Sequence, residues 1–439
     1  MLRHSFASLI AILLVSTIHS EDPKVDPIAK TVETELPDLK KLYQHLHANP
    51  ELSLQEVQTS ARIAEELKKA GFEVTANFGG HGVIAVMKNG DGPTVWVRSD
   101  LDGLPITEKT GLPYASAVRT RDSYGNEVGV MHACGHDIHM TCLVGTARTL
   151  AAHKEKWAGT LVLVGQPAEE VVAGARAMFE AGMYTKFPKP DYALALHSDG
   201  LKPVGVISYT DGLAMANSDS VDIVVKGRGG HGAAPHQTID PIVLSARIIL
   251  DLQTIVSREV SPLDPAVVTV GSIHGGNKHN IIPNEVKLQL TVRTTKDDVR
   301  KNVLEAIERI AKAAAVGARA PEPEVIVSTT FTTPATINES GLVKKTVPVF
   351  QRLLGEKNVQ SRVPTMGAED FGLYSKGGTP IFMFFLGTCP KEKYEASLKP
   401  GAAPLPGMHT DSYAPDGEGS VRVGVKAMSH AVMNLMPKK

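Results

Sequence analysis

Four short stretches of the sequence carry side chains of the types that bind divalent metal ions. They supply Cys134 and His136 within the run MHACGHD (Met131–Asp137), the adjacent pair Glu169 and Glu170, His197, and His409. Thiolate, imidazole and carboxylate together form a ligand set that suits zinc, with manganese, cobalt and nickel as alternatives. Each stretch alone is weak, because a Cys-Gly-His turn or a lone histidine is common without a metal. Their joint occurrence is what predicts a metal site.

The elements expected before these side chains place them at one edge of a sheet. Apolar strands are predicted at Thr94–Val97, Thr160–Val164 and Asp191–Leu196. Polar residues follow each strand directly: Asp100 the first, Glu169 and Glu170 the second, and His197 the third. In open α/β sheets, ligands bind beyond the carboxyl ends of the strands. Helices predicted at Leu39–Leu46, Val57–Ala70 and Ile138–His153 alternate with these strands and indicate an α/β sheet covered on both faces.

A different order of elements begins near residue 214. The pattern predicts strands at Ser220–Val225, Ala266–Ile273, Glu285–Thr294 and Glu324–Ser328, with helices at Ile239–Ser257 and Val299–Ala315. Strand, helix, strand, strand, helix, strand is the ferredoxin-like order. Residues 214–330 are therefore predicted to form an inserted α+β domain between two parts of the α/β domain, residues 21–213 and 331–439. In the second part, a helix is expected at Gly341–Leu354, a strand at Pro380–Leu386 and a closing helix from Glu418.

Length and charge narrow the class of function. The chain has 439 residues, of which 42% are apolar and 21% charged, and its formal net charge is −1. The length favours two domains. The sequence has neither the basic footprint of a nucleic-acid-binding protein nor a polybasic membrane patch. A small molecule or a short peptide is therefore the expected partner.

The first twenty residues differ from the rest of the chain. Arg3 precedes the apolar run Phe6–Ile18, and the small Ser20 precedes a polar stretch. This order predicts a signal peptide over residues 1–20 and an exported protein, periplasmic or secreted. A membrane anchor is the alternative, but a run of about 13 apolar residues is shorter than the about 20 that a bilayer needs. No stable membrane span is expected after cleavage. The chain has three cysteines, so at least one thiol is left without an internal partner.

Eight motifs together resemble a known superfamily. They are RSDLDGLP from Arg98, MHACGHD from Met131, QPAEE from Gln166, ALHSD from Ala195, GRGGHGAAPH from Gly227, HNIIPNE from His279, GAEDF from Gly367 and MHTDSY from Met408. In order and spacing they resemble the dinuclear-metal aminoacylase and carboxypeptidase superfamily. The closer likeness is to its amidohydrolase branch, which includes hippurate hydrolases, auxin-conjugate hydrolases and N-acyl-amino-acid amidohydrolases. The resemblance implies a zinc-peptidase-like catalytic α/β domain with an inserted ferredoxin-like lid that mediates homodimerisation.

The resemblance also implies a ligand set. Two divalent ions per subunit, with zinc expected, would be held by Cys134, His136, Glu170, His197 and His409. Cys134 would bridge the ions at the place where peptidases of the superfamily use an aspartate. Arg98 stands where those peptidases carry a ligand histidine, and this departure favours the amidohydrolase branch. His132 is expected to pack beside the site, while His236 and Glu369 match motifs without an assigned role.

Five further residues receive roles. Glu169 is the expected general base, which takes a proton from water and returns it to the departing amine; its alternative role is a metal ligand. Asp100 is expected to orient a ligand, and its alternative is a strand-end cap. The resemblance suggests that His231 reaches the partner subunit's active site and stabilises the oxyanion. Asn280 and Arg293 resemble lid positions that hold the substrate's carbonyl and carboxylate, although Arg293 could equally be an exposed strand residue in an ion pair.

The expected reaction is hydrolysis of the amide bond of an N-acyl amino acid. A metallo-dipeptidase or carboxypeptidase acting on short peptides is the alternative. A thiol hydrolase with Cys134 as nucleophile, and His136 or His197 as its base, is a less favoured alternative. A non-catalytic exported binding protein is the third, and the presence of Glu169 argues against it.

Overall fold

The computed structural model describes residues 26–438. The predicted signal peptide lies outside these residues. Between residues 26 and 438, none of the helices combines the length and the apolar character that crossing a membrane requires.

The chain forms nineteen strands and ten α-helices within this range. Before the second domain lie α1 Pro27–Ala48, α2 Val57–Lys69, β1 Glu73–Phe78, β2 Gly82–Asn89, β3 Thr94–Asp100, β4 Arg119–Arg121, β5 Glu127–Gly129, α3 His136–Ala152, β6 Gly159–Gln166, α4 Gly174–Glu180, α5 Met183–Lys186, β7 Tyr192–Pro203, β8 Ile207–Tyr209 and β9 Gly212–Ala216. The second domain contains β10 Ser218–Lys226, β11 Gly230–His231, α6 Pro241–Thr254, β12 Ala266–His274, β13 Ile281–Ile282, β14 Glu285–Thr294, α7 Asp297–Gly317 and β15 Glu324–Thr333. The chain then adds β16 Thr336–Asn338, α8 Ser340–Leu354, β17 Val359–Ser361, β18 Thr365–Ala368, β19 Ile381–Cys389, α9 Lys391–Ser397 and α10 Gly417–Leu435.

An eight-stranded sheet forms the centre of the α/β domain. Its strand order is β1-β2-β6-β3-β7-β19-β8-β17. β6, β3, β7 and β19 run parallel to their neighbours in this group, whereas β1 and β2 are antiparallel, as is the β19–β8 pair. The carboxyl ends of β6, β3 and β7 therefore meet at one edge, as the sequence predicts.

Both faces of this sheet are covered. In β3, Val95 and Val97 face one apolar cluster and Trp96 faces another, because successive side chains of a strand alternate between faces. α1, α3 and α10 pack together on the first face. The predicted α/β architecture is confirmed.

Several details of the α/β domain differ from the prediction. The first helix begins at Pro27, not at Leu39, because Oδ1 of Asp26 accepts the amide of Ile28 and caps it. Pro37 lies inside this helix and does not end it. Several strands were not predicted from the sequence, among them β1 and β2; the side chains of β1 are mainly exposed and lack a clear apolar alternation.

The second domain, called the lid below, has its own sheet and core. Its strand order is β12-β14-β10-β15, with every neighbouring pair antiparallel. With α6 and α7, this gives the predicted strand, helix, strand, strand, helix, strand order of a ferredoxin-like unit. Both helices pack on the sheet around aliphatic side chains such as Ile223 and Leu288.

Candidate metal centre

A glycine turn presents the predicted thiol and imidazole side by side. Cys134 lies in the loop before α3, and His136 is the first residue of that helix. Gly135 between them has a φ of +80°, and a Cβ added there would lie 2.5 Å from Oγ of Ser198. Only glycine fits this left-handed and crowded position. The spacing of Cys134 and His136 is therefore fixed by the backbone.

A strained loop after β6 carries the two glutamates. Ala168 and Val172, on either side of the pair, have φ values of +51° and +49°, a region that a β-branched residue such as Val172 rarely occupies. Buried carboxylates hold this loop: Glu56 accepts the amide of Ala168 at 2.7 Å, and Asp102 accepts the amide of Glu170 at 3.0 Å. The strain is therefore offset by contacts from outside the loop.

His197 lies within β7, although the sequence placed it after the strand's end. β3 pairs with β7 only as far as Ala195, so beyond that residue the β3 side of β7 is open. The Nδ1 of His197 is 2.8 Å from the carbonyl of Ser198, which can only accept, so Nδ1 carries the proton and Nε2 is free to bind a metal. This Nε2 lies 3.6 Å from Sγ of Cys134.

His409 completes the set from the carboxyl-terminal loop. Its own φ is +61°, and its amide donates to the carbonyl of Ala133 at 2.9 Å. Its Nε2 lies 3.2 Å from Sγ of Cys134 and 3.6 Å from Oε2 of Glu170. The Nε2 atoms of His197 and His409 therefore both lie close to Sγ of Cys134.

The donor atoms form overlapping groups. Within each of three groups the donor atoms lie no more than 4.8 Å apart: Cys134 with His136 and His197, Cys134 with Glu170 and His409, and His136 with Glu169 and Glu170. Nε2 of His136 and Oε1 of Glu170 are buried and have no hydrogen-bond partner. Buried polar atoms without partners are costly, and a cation among them would remove that cost. The residues therefore fit divalent metal ions, and Cys134 belongs to two of these three groups.

The electrostatics of Cys134 disfavour a thiol nucleophile. Burial and the negative charges of Glu170 and Glu169 raise the pKa of the thiol well above its usual value. A nucleophilic cysteine needs the opposite shift. A bound cation would instead favour the thiolate, as it does for coordinating cysteines generally.

Glu169 lies beside the donor groups with its carboxylate close to them. Its Oε2 is 3.8 Å from Nε2 of His136, and its side chain is buried. Burial and the charges of Glu369 and Glu170 raise its pKa well above the ordinary value. A carboxylate with a raised pKa suits proton transfer near neutral pH, the role predicted for Glu169.

Asp100 and Asp102 both lie against histidines of α3. The predicted orienting residue, Asp100, has Oδ1 2.7 Å from Nδ1 of His139 and Oδ2 3.6 Å from Nε2 of His136. Nδ1 of His136 instead contacts the carbonyl of Asp102 at 2.8 Å, which fixes its tautomer. The orienting role of Asp100 remains a prediction. His139 was not predicted as part of the site, because the helix predicted at Ile138–His153 excluded His136; with the observed start at His136, the two histidines are three residues apart on one helix.

Arg98 and Glu369 form a buried ion-pair cluster next to the site. Arg98 contacts Asp100 at 2.9 Å, Glu369 at 2.9 Å and Asp370 at 3.0 Å, and Gln166 accepts from its Nε at 3.0 Å. Where the sequence analysis gave Glu369 no role, the structure places it as a partner of this arginine. Arg98 thus joins three carboxylates rather than binding a metal.

Of the remaining predicted residues that belong to the lid, one lines the cavity at the donor groups and the others lie exposed. Arg293 lines the same cavity of about 410 Å³ as Cys134, Glu169 and His409. His231 and Asn280 are exposed on the lid and do not line this cavity, and His236 is exposed nearby. Their predicted roles in binding and catalysis remain predictions. The separate residue His132 is buried, and burial lowers its pKa to about 4, which suits the expected packing role.

Comparisons with known proteins assign the family. Residues 96–402 match the family described as Peptidase family M20/M25/M40. The chain is 38% identical over 339 residues to hippurate hydrolase from Campylobacter jejuni, covering 77% of this chain and 85% of that protein. It is 35% identical over 358 residues to thermostable carboxypeptidase 2 from Saccharolobus solfataricus, covering 80% and 86%. Its fold is similar to the Bacillus subtilis YXEP protein, described as a dinuclear metal binding peptidase from the M20 family, with a TM-score of 0.72, 30% identity and coverage of 92% and 99%.

These matches agree with the motifs and with the geometry of the donor residues. The matched region contains the glycine turn, the strained glutamate loop and the lid. The chain therefore belongs to peptidase family M20/M25/M40, which confirms the resemblance found in its motifs and the prediction of a metal-dependent amidohydrolase.

Proposed function

We propose that the protein hydrolyses the amide bond of N-acyl amino acids and releases a carboxylic acid and a free amino acid. The observation that carries this proposal is the convergence of five candidate metal ligands beside Glu169. Four of them line one cavity together with Glu169, namely Cys134, Glu170, His197 and His409, and the donor atom of His136 lies within 4.8 Å of those of Cys134 and His197. The similarity to hippurate hydrolase supports this choice of substrate class. Cleavage of short peptides is the second candidate, which the similarity to a carboxypeptidase favours.

The proposed roles of the residues are metal binding, proton transfer and substrate binding. Cys134, His136, Glu170, His197 and His409 would hold two divalent ions, and the thiolate and imidazole donors favour zinc over manganese, cobalt or nickel. When bound, such ions polarise the scissile carbonyl and lower the pKa of water. The carboxylate of Glu169 accepts a proton from the attacking water and then delivers it to the departing amine nitrogen. Arg293 is the proposed donor to the substrate's carboxylate, because its planar guanidinium matches that group.

A substrate panel with metal removal and return tests this function. The purified protein is treated with a chelator, reconstituted with zinc, manganese, cobalt or nickel, and assayed on hippurate, N-acetyl amino acids and dipeptides. We expect the chelator to abolish hydrolysis, a divalent ion to restore it, and acyl amino acids to exceed dipeptides in kcat/KM. Chelator-resistant hydrolysis that is lost on alkylation of Cys134 would instead support the thiol mechanism.

The exposed lid residues support a dimeric site. His231 and Asn280 are exposed and do not line the cavity of their own chain, which leaves them available to contact a substrate in a second subunit. We expect a homodimer through the lid, in which His231 stabilises the oxyanion in the partner's cavity. Mixing inactive Glu169→Gln and His231→Ala proteins should restore activity by forming mixed dimers with one intact site. A monomer by light scattering, or no restoration after subunit exchange, would contradict this arrangement.

Export is proposed on the amino-terminal sequence alone. Arg3, the apolar run Phe6–Ile18 and Ser20 have the order of a cleaved signal. Expression of the full chain followed by cell fractionation and amino-terminal sequencing should yield an exported protein that begins near Glu21. Recovery of the uncleaved chain inside the cell would contradict this proposal.

A further inference from the structure

A second arginine lines the metal cavity on the catalytic side. Arg362 follows β17, and it lines the same cavity of about 410 Å³ as the predicted ligands and Arg293 of the lid. The motifs gave it no role, because it lies five residues before the GAEDF motif. The cavity therefore holds two cationic side chains from two different domains.

The position of Arg362 is fixed relative to the metal ligands. Its guanidinium carbon lies 3.8 Å from the centroid of the Phe385 ring, the distance of a stacked pair. That ring lies 5.9 Å, centroid to centroid, from the ring of the ligand His197, its neighbour across the β7–β19 pair. The backbone amide of Arg362 donates to the carbonyl of Tyr209 at 2.8 Å. One aromatic ring thus separates this guanidinium from the proposed metal centre.

The guanidinium is only partly satisfied by protein groups. Its Nη1 donates to Oδ2 of Asp199 at 3.2 Å, the one ion pair recorded for it in residues 26–438. A guanidinium has five N–H donors, and 26% of this side chain is exposed. Both head-group contacts, Asp199 and Phe385, line the metal cavity and not the neighbouring cavity that Arg362 also borders. The remaining donors are therefore placed to meet a ligand in the metal cavity.

Arg293 has even fewer partners. Within residues 26–438, its Nη1 is buried without a hydrogen-bond partner. Of the carboxylates that line this cavity, Asp199 is the one that pairs with an arginine, and that arginine is Arg362. A substrate with one carboxylate can satisfy one of the two arginines, whereas a substrate with two can satisfy both.

We propose that Arg362 determines specificity by binding a second carboxylate of the substrate, so that the preferred substrates are N-acyl amino acids with two carboxylates. This inference rests on the proposed amidohydrolase function. The planar fork of arginine binds carboxylates with two parallel hydrogen bonds, and an amide cannot replace that contact. The second carboxylate has two chemical sources: an acidic side chain on the released amino acid, or the far end of a dicarboxylic acyl group.

Two pairs of substrates separate these sources. N-acetylglutamate is compared with N-acetylglutamine, and N-succinylalanine with its terminal amide, N-succinamoylalanine. We expect the zinc-loaded wild-type protein to prefer the acid over the amide in one pair by about 10- to 100-fold in kcat/KM, the range of a charge-assisted hydrogen bond. The pair that shows the preference identifies the source of the carboxylate.

Variants connect the preference to Arg362. In Arg362→Gln the preference should fall to within about threefold, and Arg362→Lys should keep an intermediate value because it retains the charge but not the fork. Lys344→Gln is the matched control, because Lys344 borders the neighbouring cavity beside Arg362 but not the metal cavity. It should leave both preferences unchanged. Equal losses on acid and amide substrates in Arg362→Gln would show that the arginine only holds Asp199, and would overturn the inference.

A binding measurement keeps this inference separate from the proposed function. Calorimetric titration of metal-loaded Glu169→Gln protein compares the acid and amide of each pair without turnover. Tighter binding of one acid, lost when Arg362→Gln is added, supports the inference even if no substrate is hydrolysed. Equal affinity for acid and amide in both pairs overturns it. Absence of hydrolysis by the wild-type protein on the whole panel counts against the proposed function.

Discussion

The two domains bury different types of side chain. The core cluster of the lid consists of valine, leucine, isoleucine and alanine side chains around Ile223 and Leu288. The catalytic domain also has apolar cores, but at its site edge it buries charged groups, among them Arg98, Asp100 and Glu369. The lid is therefore held mainly by aliphatic packing, with Asp219 of β10 as a buried charge that Arg300 pairs, whereas the site edge depends on several buried charges that each need a partner.

The candidate site lies where the fold buries titratable side chains. Buried carboxylates and histidines have strongly shifted pKa values. Burial raises the pKa of Glu169, and the pKa of His136 rises to about 10 because burial, which lowers it, is outweighed by the carboxylates of Asp100, Asp102 and Glu170 together. An aliphatic core offers no such groups. Four substitutions, at Glu169, Arg98, His47 and Ile223, probe this difference between the two domains.

Glu169→Gln should give the largest effect, on rate rather than on stability. The amide keeps the size of the side chain but cannot accept the proton, so we expect kcat to fall by about 10²- to 10⁴-fold. Steady-state kinetics with a chosen metal measure this change. Glu324→Gln, the same substitution at an exposed position of the lid, should leave kcat unchanged. A Glu169→Gln protein as fast as the wild type would favour a non-catalytic protein or another base.

Arg98→Met should give the largest loss of stability. The substitution leaves Asp100, Glu369 and Asp370 buried without their cation, and removal of one member of a buried pair costs about 3–5 kcal/mol. Urea unfolding measures the loss. Arg309→Met, which removes an exposed arginine of the lid, should cost less than about 1 kcal/mol. Similar losses in the two variants would mean that the buried cluster has no special energetic role.

His47→Gln should give a smaller loss that depends on pH. His47 is buried between Asp137 and Glu108, whose contacts overcome burial and raise its pKa to about 10. Because the folded-state pKa is raised, its contribution is complete below the unfolded value of about 6.5 and disappears as the pH rises towards 10. We expect a cost of about 1.5–3 kcal/mol at pH 6 that shrinks by pH 9.5. Urea unfolding at several pH values measures it, and a constant cost would contradict the assigned charge state.

Ile223→Val should give the smallest effect. The side chain is fully buried in the lid core, and loss of one methyl group costs about 0.5–1.5 kcal/mol. Ile326→Val is the matched control, since Ile326 is 52% exposed in the neighbouring strand and should change stability by less than about 0.5 kcal/mol. Thermal unfolding compares the two. Neither variant should alter kcat, and a change in kcat for Ile223→Val would connect the lid core to the chemistry.

The sequence predicted the site better than its surroundings. The donors could be found because parallel strands bring their carboxyl ends to one edge, a rule that needs no side-chain detail. His197 was placed at a strand end for the right physical reason but with the wrong boundary, because β7 continues after its pairing with β3 stops. Strand lengths depend on neighbours that a single sequence does not reveal.

The supporting contacts could not be predicted in the same way. Arg98 meets Asp370 across 272 positions of sequence, and Glu56 meets Ala168 across 112. Contacts between residues so far apart in sequence produce no local sequence pattern from which they could be predicted. Arg362 was missed for the same reason, since its partners Asp199 and Phe385 come from other strands.

The position of β19 in the central sheet has a consequence for synthesis. β19 lies between β7 and β8, yet it is the last strand made, after the whole lid. While the chain emerges, the lid segment Ser218–Thr333 already holds all its strands and can fold from local contacts. The edge of β7 that pairs with β19 stays unpaired until Ile381–Cys389 has been synthesised. A chain truncated after Thr333 should therefore present a folded lid beside an unpaired strand edge, the kind of surface that chaperones cover and that otherwise aggregates.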